Sequence, residues 1–208
     1  MKEKRDYVRD IAEIRLMMER SSKFLSLSGW AGIMAGIYAL SGAYIAYKIF
    51  NFNPHQIIYS ASSMGSLSSS FPMVIILAIV VLILAIGTAI ILSNRKANKR
   101  GEKIWNVASR QLLVNMAIPL LAGGILIVVL ISKDLIGLIA PLTLLFYGLA
   151  LYNTSKFTYN EVKFIGIIQM GLGLIGSYFV EYGLLLWAVG FGVVHIVYGI
   201  YLHFRYER

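Results

Sequence analysis

Between Val74 and Leu92 the chain reads VIILAIVVLILAIGTAIIL, an unbroken apolar run with one hydroxyl, Thr88, and no charge. As a helix rising about 1.5 Å per residue, such a run matches the roughly 30 Å hydrocarbon core of a bilayer. Inside lipid a lone segment satisfies its backbone N–H and C=O groups only as an α-helix. Five further apolar stretches accompany it. The expected fold is therefore an all-α integral membrane bundle of six transmembrane helices, at about 24–50, 72–93, 111–131, 135–152, 162–180 and 182–204. Composition agrees, with 58% hydrophobic and 14% charged residues, against about 45–50% and about 25% in soluble domains. The first stretch is longer than a signal-peptide core and follows a charged segment, so it is expected to remain as a span.

The basic residues set orientation. Seven precede the first stretch (Lys2, Lys4, Arg5, Arg9, Arg15, Arg20, Lys23), and six fall in the loop 94–110 (Arg95, Lys96, Lys99, Arg100, Lys103, Arg110). Lys156, Lys163, Arg205 and Arg208 share that side of a six-span layout, and only Lys48 and Lys133 take the other. Cytoplasmic loops carry the Lys and Arg excess, so both termini are expected in the cytoplasm. The net charge of +9 then needs no nucleic acid. Tyrosines near the stretch ends, among them Tyr44, Tyr47, Tyr147, Tyr152, Tyr178, Tyr182, Tyr198 and Tyr201, read mainly as interfacial anchors.

Two domains follow: a cytoplasmic helix at 1–23 and a six-helix membrane domain at 24–208. In the first, Tyr7, Ile11, Ile14, Met18 and Leu25 fall within about 40° of one line at 100° per residue. Such an amphipathic helix suits the inner leaflet or a cytoplasmic protein partner. Small residues recur at four-residue spacing (Ser28, Gly32, Gly36; Ala31, Ala35, Ala39, Ala43), the pattern of close helix packing within the bundle or, alternatively, a homo-oligomer seam.

The chain has no cysteine, which removes disulfides, thiolate metal sites and a nucleophilic cysteine. No ionised residue stands in the middle of any stretch, and there is no HExxH, Walker A or GxSxG motif. No metal and no cofactor are expected. What remains at membrane depth is polar but neutral. Counting from the cytoplasmic ends, His195 lies roughly 12 Å deep, Gln169 about 9 Å, Thr88 about 7 Å, and Asn115 and Ser28 about 6 Å. An unpartnered imidazole or amide in hydrocarbon costs several kcal/mol, so these five are expected to face the bundle interior. There they form either a packed hydrogen-bonded core, with His195 on Gln169 or a hydroxyl, or a polar cavity open to the cytoplasm. Pro119 and Pro141, each about seven residues into its stretch, are expected to kink neighbouring, oppositely running helices.

The run EIRLMMERSSKFLSLSGWAGIMAGIYALSGAYIAY, Glu13 to Tyr47, resembles the opening of a group of small six-span bacterial inner-membrane proteins with no secure activity. The resemblance covers the N-terminal third and the six-span layout. It implies a multi-pass protein of the bacterial plasma membrane and nothing catalytic. The leading expectation is a non-enzymatic protein acting through interaction, as a sensor, regulator or assembly subunit. The alternative is a transporter or binder of a small or lipid-like molecule using the polar cluster.

Overall fold

The computed structural model describes residues 23–52, 71–101 and 103–207. The amphipathic segment expected at 1–23 lies outside the described residues apart from Lys23, as does the loop 53–70. Helix is the only regular structure among the described residues. The elements are α1 (Gly29–Lys48), α2 (Phe71–Lys99), α3 (Val107–Ser132), α4 (Ile139–Thr154), α5 (Val162–Tyr178), α6 (Gly183–Trp187) and α7 (His195–Tyr206). A π-helical segment, Ala188–Val194, joins α6 to α7.

Five helical stretches are long and apolar enough to cross a membrane: Gly29–Lys48, Phe71–Lys99, Val107–Ser132, Ile136–Phe157 and Val180–Tyr206. They mark a multi-pass membrane protein. The remaining apolar helix, α5, has 17 residues, the lower edge of a spanning length.

Three boundaries differ from expectation, each for a local reason. The first helix starts at Gly29, not near 24, because residues 24–28 form no regular structure and the Phe24, Leu25 and Leu27 carbonyls are taken by side chains elsewhere in the fold. The second helix continues to Lys99, so the first part of the basic loop, 94–99, is helix. It ends at Gly101, whose φ of 69° suits a residue without Cβ. A capping box between Asn106 and Ser109 then starts α3, with Ser109 N–H donating to Asn106 Oδ1 at 2.8 Å.

Two seams of small residues hold the bundle. On the first, α1 lies against the π segment and α7. A Cβ on Gly29 would stand 2.5 Å from the Gly199 carbonyl oxygen, and one on Gly36 would stand 2.6 Å from that of Gly192. On the second, α4 meets α5, where a Cβ on Gly148 would stand 2.6 Å from the Gly166 oxygen and one on Gly173 would stand 2.7 Å from the Pro141 oxygen. In lipid, such close backbone approach replaces the hydrophobic drive for helix association. The expected Gly32–Gly36 stripe is thus an intramolecular face, and Ala31, Ala39 and Ala43 are buried beside it.

The two prolines behave differently. Pro119 sits inside α3, which continues through it. Pro141 is the third residue of α4, within the first turn, where a missing N–H has no helical partner to lose. The expected interior kink at Pro141 is therefore corrected. Its buried ring instead packs beside Gly176 and Gly183, whose Cβ positions would meet it at 3.3 and 3.4 Å.

Candidate functional site

Two polar assemblies stand out, one inside the bundle and one at the end where α1 begins and α7 finishes. The interior one is built on the π segment. Gln169, on α5 and fully buried, donates its Nε2–H to the Gly190 carbonyl at 2.8 Å. His195 Nδ1 lies 3.0 Å from the same oxygen. A carbonyl only accepts, so Nδ1 carries the hydrogen. In the neutral ring, Nε2 then accepts from the Tyr147 hydroxyl of α4 at 2.9 Å. The His195 ring also stacks on Tyr147 and Phe191. One carbonyl and one imidazole therefore tie α4, α5 and the last helix together.

The packing around this set is tight. A Cβ on Gly190 would collide with Gln169 Oε1 and come within 2.5 Å of Leu144 Cδ2. Gln169 Oε1 and the Tyr198 hydroxyl are buried with no hydrogen-bond partner among the described residues. Two tyrosines read as interfacial anchors thus belong to the interior. Each precedes a glycine of a seam, Tyr147–Gly148 and Tyr198–Gly199: the glycine admits the neighbouring helix and the tyrosine turns in beside it.

The other expected site residues make their contacts elsewhere. Thr88 pairs with the Tyr38 hydroxyl at 3.3 Å, between α2 and α1. Asn115 donates to Gln111 of its own helix at 2.8 Å. Ser28 is buried at the start of α1 but makes no capping side-chain bond. Of the five residues expected to gather, His195 and Gln169 share the Gly190 carbonyl, while Thr88 reaches across to Tyr38 of α1 and Asn115 bonds within its own helix.

The second assembly is a clasp around residues 23–29. Phe24 N–H donates to the Phe157 carbonyl at 2.7 Å, and Thr158 Oγ1 returns a bond to the Phe24 carbonyl at 3.0 Å. The Leu25 carbonyl accepts from the Tyr159 hydroxyl at 2.6 Å and from Arg100 Nη1 at 3.0 Å. The Leu27 carbonyl accepts from Lys96 Nζ at 2.6 Å. A segment without regular structure is satisfied in this way by donors from the end of α2, the residue after it and the turn before α5.

Glu207 closes the clasp. Its Oε1 accepts from the Gly29 backbone N–H at 2.9 Å and pairs with Lys96 Nζ at 3.0 Å, while Oε2 faces His203 Nδ1 at 2.8 Å. The carboxylate thus occupies the α1 N-terminus, the position a helix dipole favours for an anion. Burial alone would raise the Glu207 carboxyl. The bonds from His203, Gly29 and Lys96 outweigh it and hold the group at about 2. Sequence reading missed Glu207, Lys96 and Tyr147; the one legible signal was the His203–Glu207 pair at i,i+4 spacing.

Among the described residues, no three His, Asp or Glu side chains come together as a metal-binding group. Compared with protein families, curated proteins and solved structures, the chain matches none.

Proposed function

We propose that this chain is a six-span protein of the bacterial plasma membrane, with both termini cytoplasmic, that works by interaction rather than by chemistry. The observation that carries this reading is the clasp. Glu207, Lys96, Arg100, Thr158 and Tyr159 fix residues 23–29 to three other parts of the chain. Whatever the preceding residues 1–22 contact is therefore connected directly to the C-terminal helix and to the basic loop. A partner of the N-terminal segment would bear on the bundle through that connection. Support also comes from the interior. The His195, Tyr147 and Gln169 side chains are joined through the Gly190 carbonyl and the Tyr147 hydroxyl, as in a core that locks helices, and there is no room for a Cβ on Gly190 beside Gln169.

In this topology α5 spans despite its 17 residues, and Lys48 and Lys133 stand on the outer side. The partner is a cytoplasmic protein, with a second copy of the chain as the other class. The test is site-specific photocrosslinking from Ile11 and Ile14 in native membranes. A discrete adduct that weakens in Glu207→Ala is the expected result. No adduct, together with no phenotype on deleting residues 1–20, would contradict the proposal.

A further inference from the structure

One opening lies away from the clasp but close to the interior assembly, since Trp187, which lines it, is in ring contact with Phe191, which stacks on His195. It is an apolar crevice of about 300 Å³ at the opposite end from the clasp, between α2 and the α3–α4 pair. Ala78 and Leu82 of α2 form one wall, Ile127 and Ile131 of α3 the other, and Ala140 of α4 and Trp187 the floor. Its one hydroxyl side chain, Thr143, is already spent on the Ala140 carbonyl at 2.7 Å. The crevice exists because α2 packs against α1 and makes little contact with α3.

We propose that this crevice binds one acyl chain of a bilayer phospholipid, entering sideways between α2 and α3. The inference rests on the membrane reading above. Three observations choose the occupant. First, the lining is apolar apart from the bonded Thr143 hydroxyl and the Trp187 indole N–H, so it fits a hydrocarbon chain better than a polar solute. Second, the walls continue without a break into the exposed apolar faces of α2 and α3, where Ile79, Ile83, Ile125 and Val128 stand outward. Acyl chains are what surrounds those faces in a membrane. Third, Lys48 and Lys133 follow two residues after the crevice residues Ala46 and Ile131. They are the two cations that the topology assigns to this side, and they stand at the depth of a phosphate headgroup. The tail is held by the crevice and the headgroup by the lysines.

Trp187 on the floor provides the readout. With Trp30→Phe and Trp105→Phe, Trp187 is the only tryptophan left. The protein is placed in phosphatidylcholine vesicles whose acyl chains carry bromine near their middle, with unbrominated vesicles as reference. Strong quenching of Trp187 is expected. Ala78→Leu or Ala140→Leu, which fill the crevice from two different walls, should each remove most of it. Native mass spectrometry of the unmutated protein should retain one phospholipid, lost in both filled variants. Trp187 fluorescence that is equal in the two kinds of vesicle, in protein that co-floats with them, would overturn the proposal, since the gap would then be closed by protein. So would quenching that neither filled variant changes. Failure of the protein to co-float with vesicles at all would overturn the membrane reading itself.

Discussion

The carboxylate of Glu207, at the end of the chain, accepts a hydrogen bond from the backbone N–H of Gly29, the first residue of α1, at 2.9 Å. The C-terminus thus caps the helix that opens the bundle. Because Lys96 and His203 bond the same carboxylate, losing it strands a cation, a helix-terminal N–H and an imidazole together. Glu207→Ala is expected to cost about 2–3 kcal/mol, the range for a hydrogen-bonded charged group. Thermal unfolding in detergent, followed by circular dichroism, measures it. A loss below about 0.5 kcal/mol, as for an exposed ion pair, would mean that the clasp carries no stability.

The same carboxylate gives the molecule an acid limb. Folding holds Glu207 at about 2, below its ordinary 4.5. The folded state therefore binds its proton less readily than the unfolded chain does, and the stabilisation is complete above about pH 4.5. It is lost as pH falls towards 2. The difference in unfolding temperature between the unmutated protein and Glu207→Gln should be flat at neutral pH and shrink across that window. A difference that grows on acidification would contradict the assignment.

Inside the bundle, Tyr147→Phe removes the hydroxyl that bonds His195 Nε2 and leaves the ring stack in place. Hydrogen bonds between membrane helices average about 0.6 kcal/mol and reach about 1.7 kcal/mol, and a loss in that range is expected. In a double-mutant cycle with His195→Phe, the two losses should not add, since they break the same bond. Full additivity would show that the pair is not coupled.

The glycines divide into two classes that substitution separates. Gly199→Ala would put a Cβ 2.5 Å from the Gly29 oxygen and 2.6 Å from the Ile33 nitrogen, forcing two backbones apart at about 1–3 kcal/mol. Among the described residues, nothing lies within 4 Å of a Cβ at Gly124 or Gly171. Alanine there should stabilise by about 0.5–1 kcal/mol through the lower entropy of the unfolded chain. Unfolding in a denaturing detergent titration ranks the variants, and equal effects at Gly199 and Gly171 would contradict the seam.

The apolar helices were legible in the sequence because membrane spans are specified locally, by length and hydropathy. The start of α1 was not. Phe24, Leu25 and Leu27 are as apolar as the residues that follow. What keeps them out of the helix is a set of donors between 69 and 134 residues away, which no local pattern contains. The π segment left a trace only in its two glycines, Gly190 and Gly192. Depth counting placed His195 and Gln169 within about 3 Å of one another along the membrane normal, and both bond the Gly190 carbonyl. Thr88 and Asn115 were counted to somewhat lesser depths and bond elsewhere, Thr88 across to Tyr38 of α1 and Asn115 within its own helix, because depth fixes height along a helix and not which neighbour its face meets. Tyr147 was assigned to the interface from its place near a helix end, although the glycine beside it marks a face that packs.

The topology is tested most directly by thiol accessibility, for which a chain without cysteine is already prepared. Single variants Lys99→Cys, Asp134→Cys, Lys156→Cys and Glu181→Cys are labelled in intact cells with a membrane-impermeant maleimide. Six spans predict that positions 134 and 181 react from outside, while 99 and 156 react only after permeabilisation. The decisive pair flanks α5, whose 17 residues fall short of the five long apolar stretches: labelling of 156 and 181 from the same side would contradict the six-span fold.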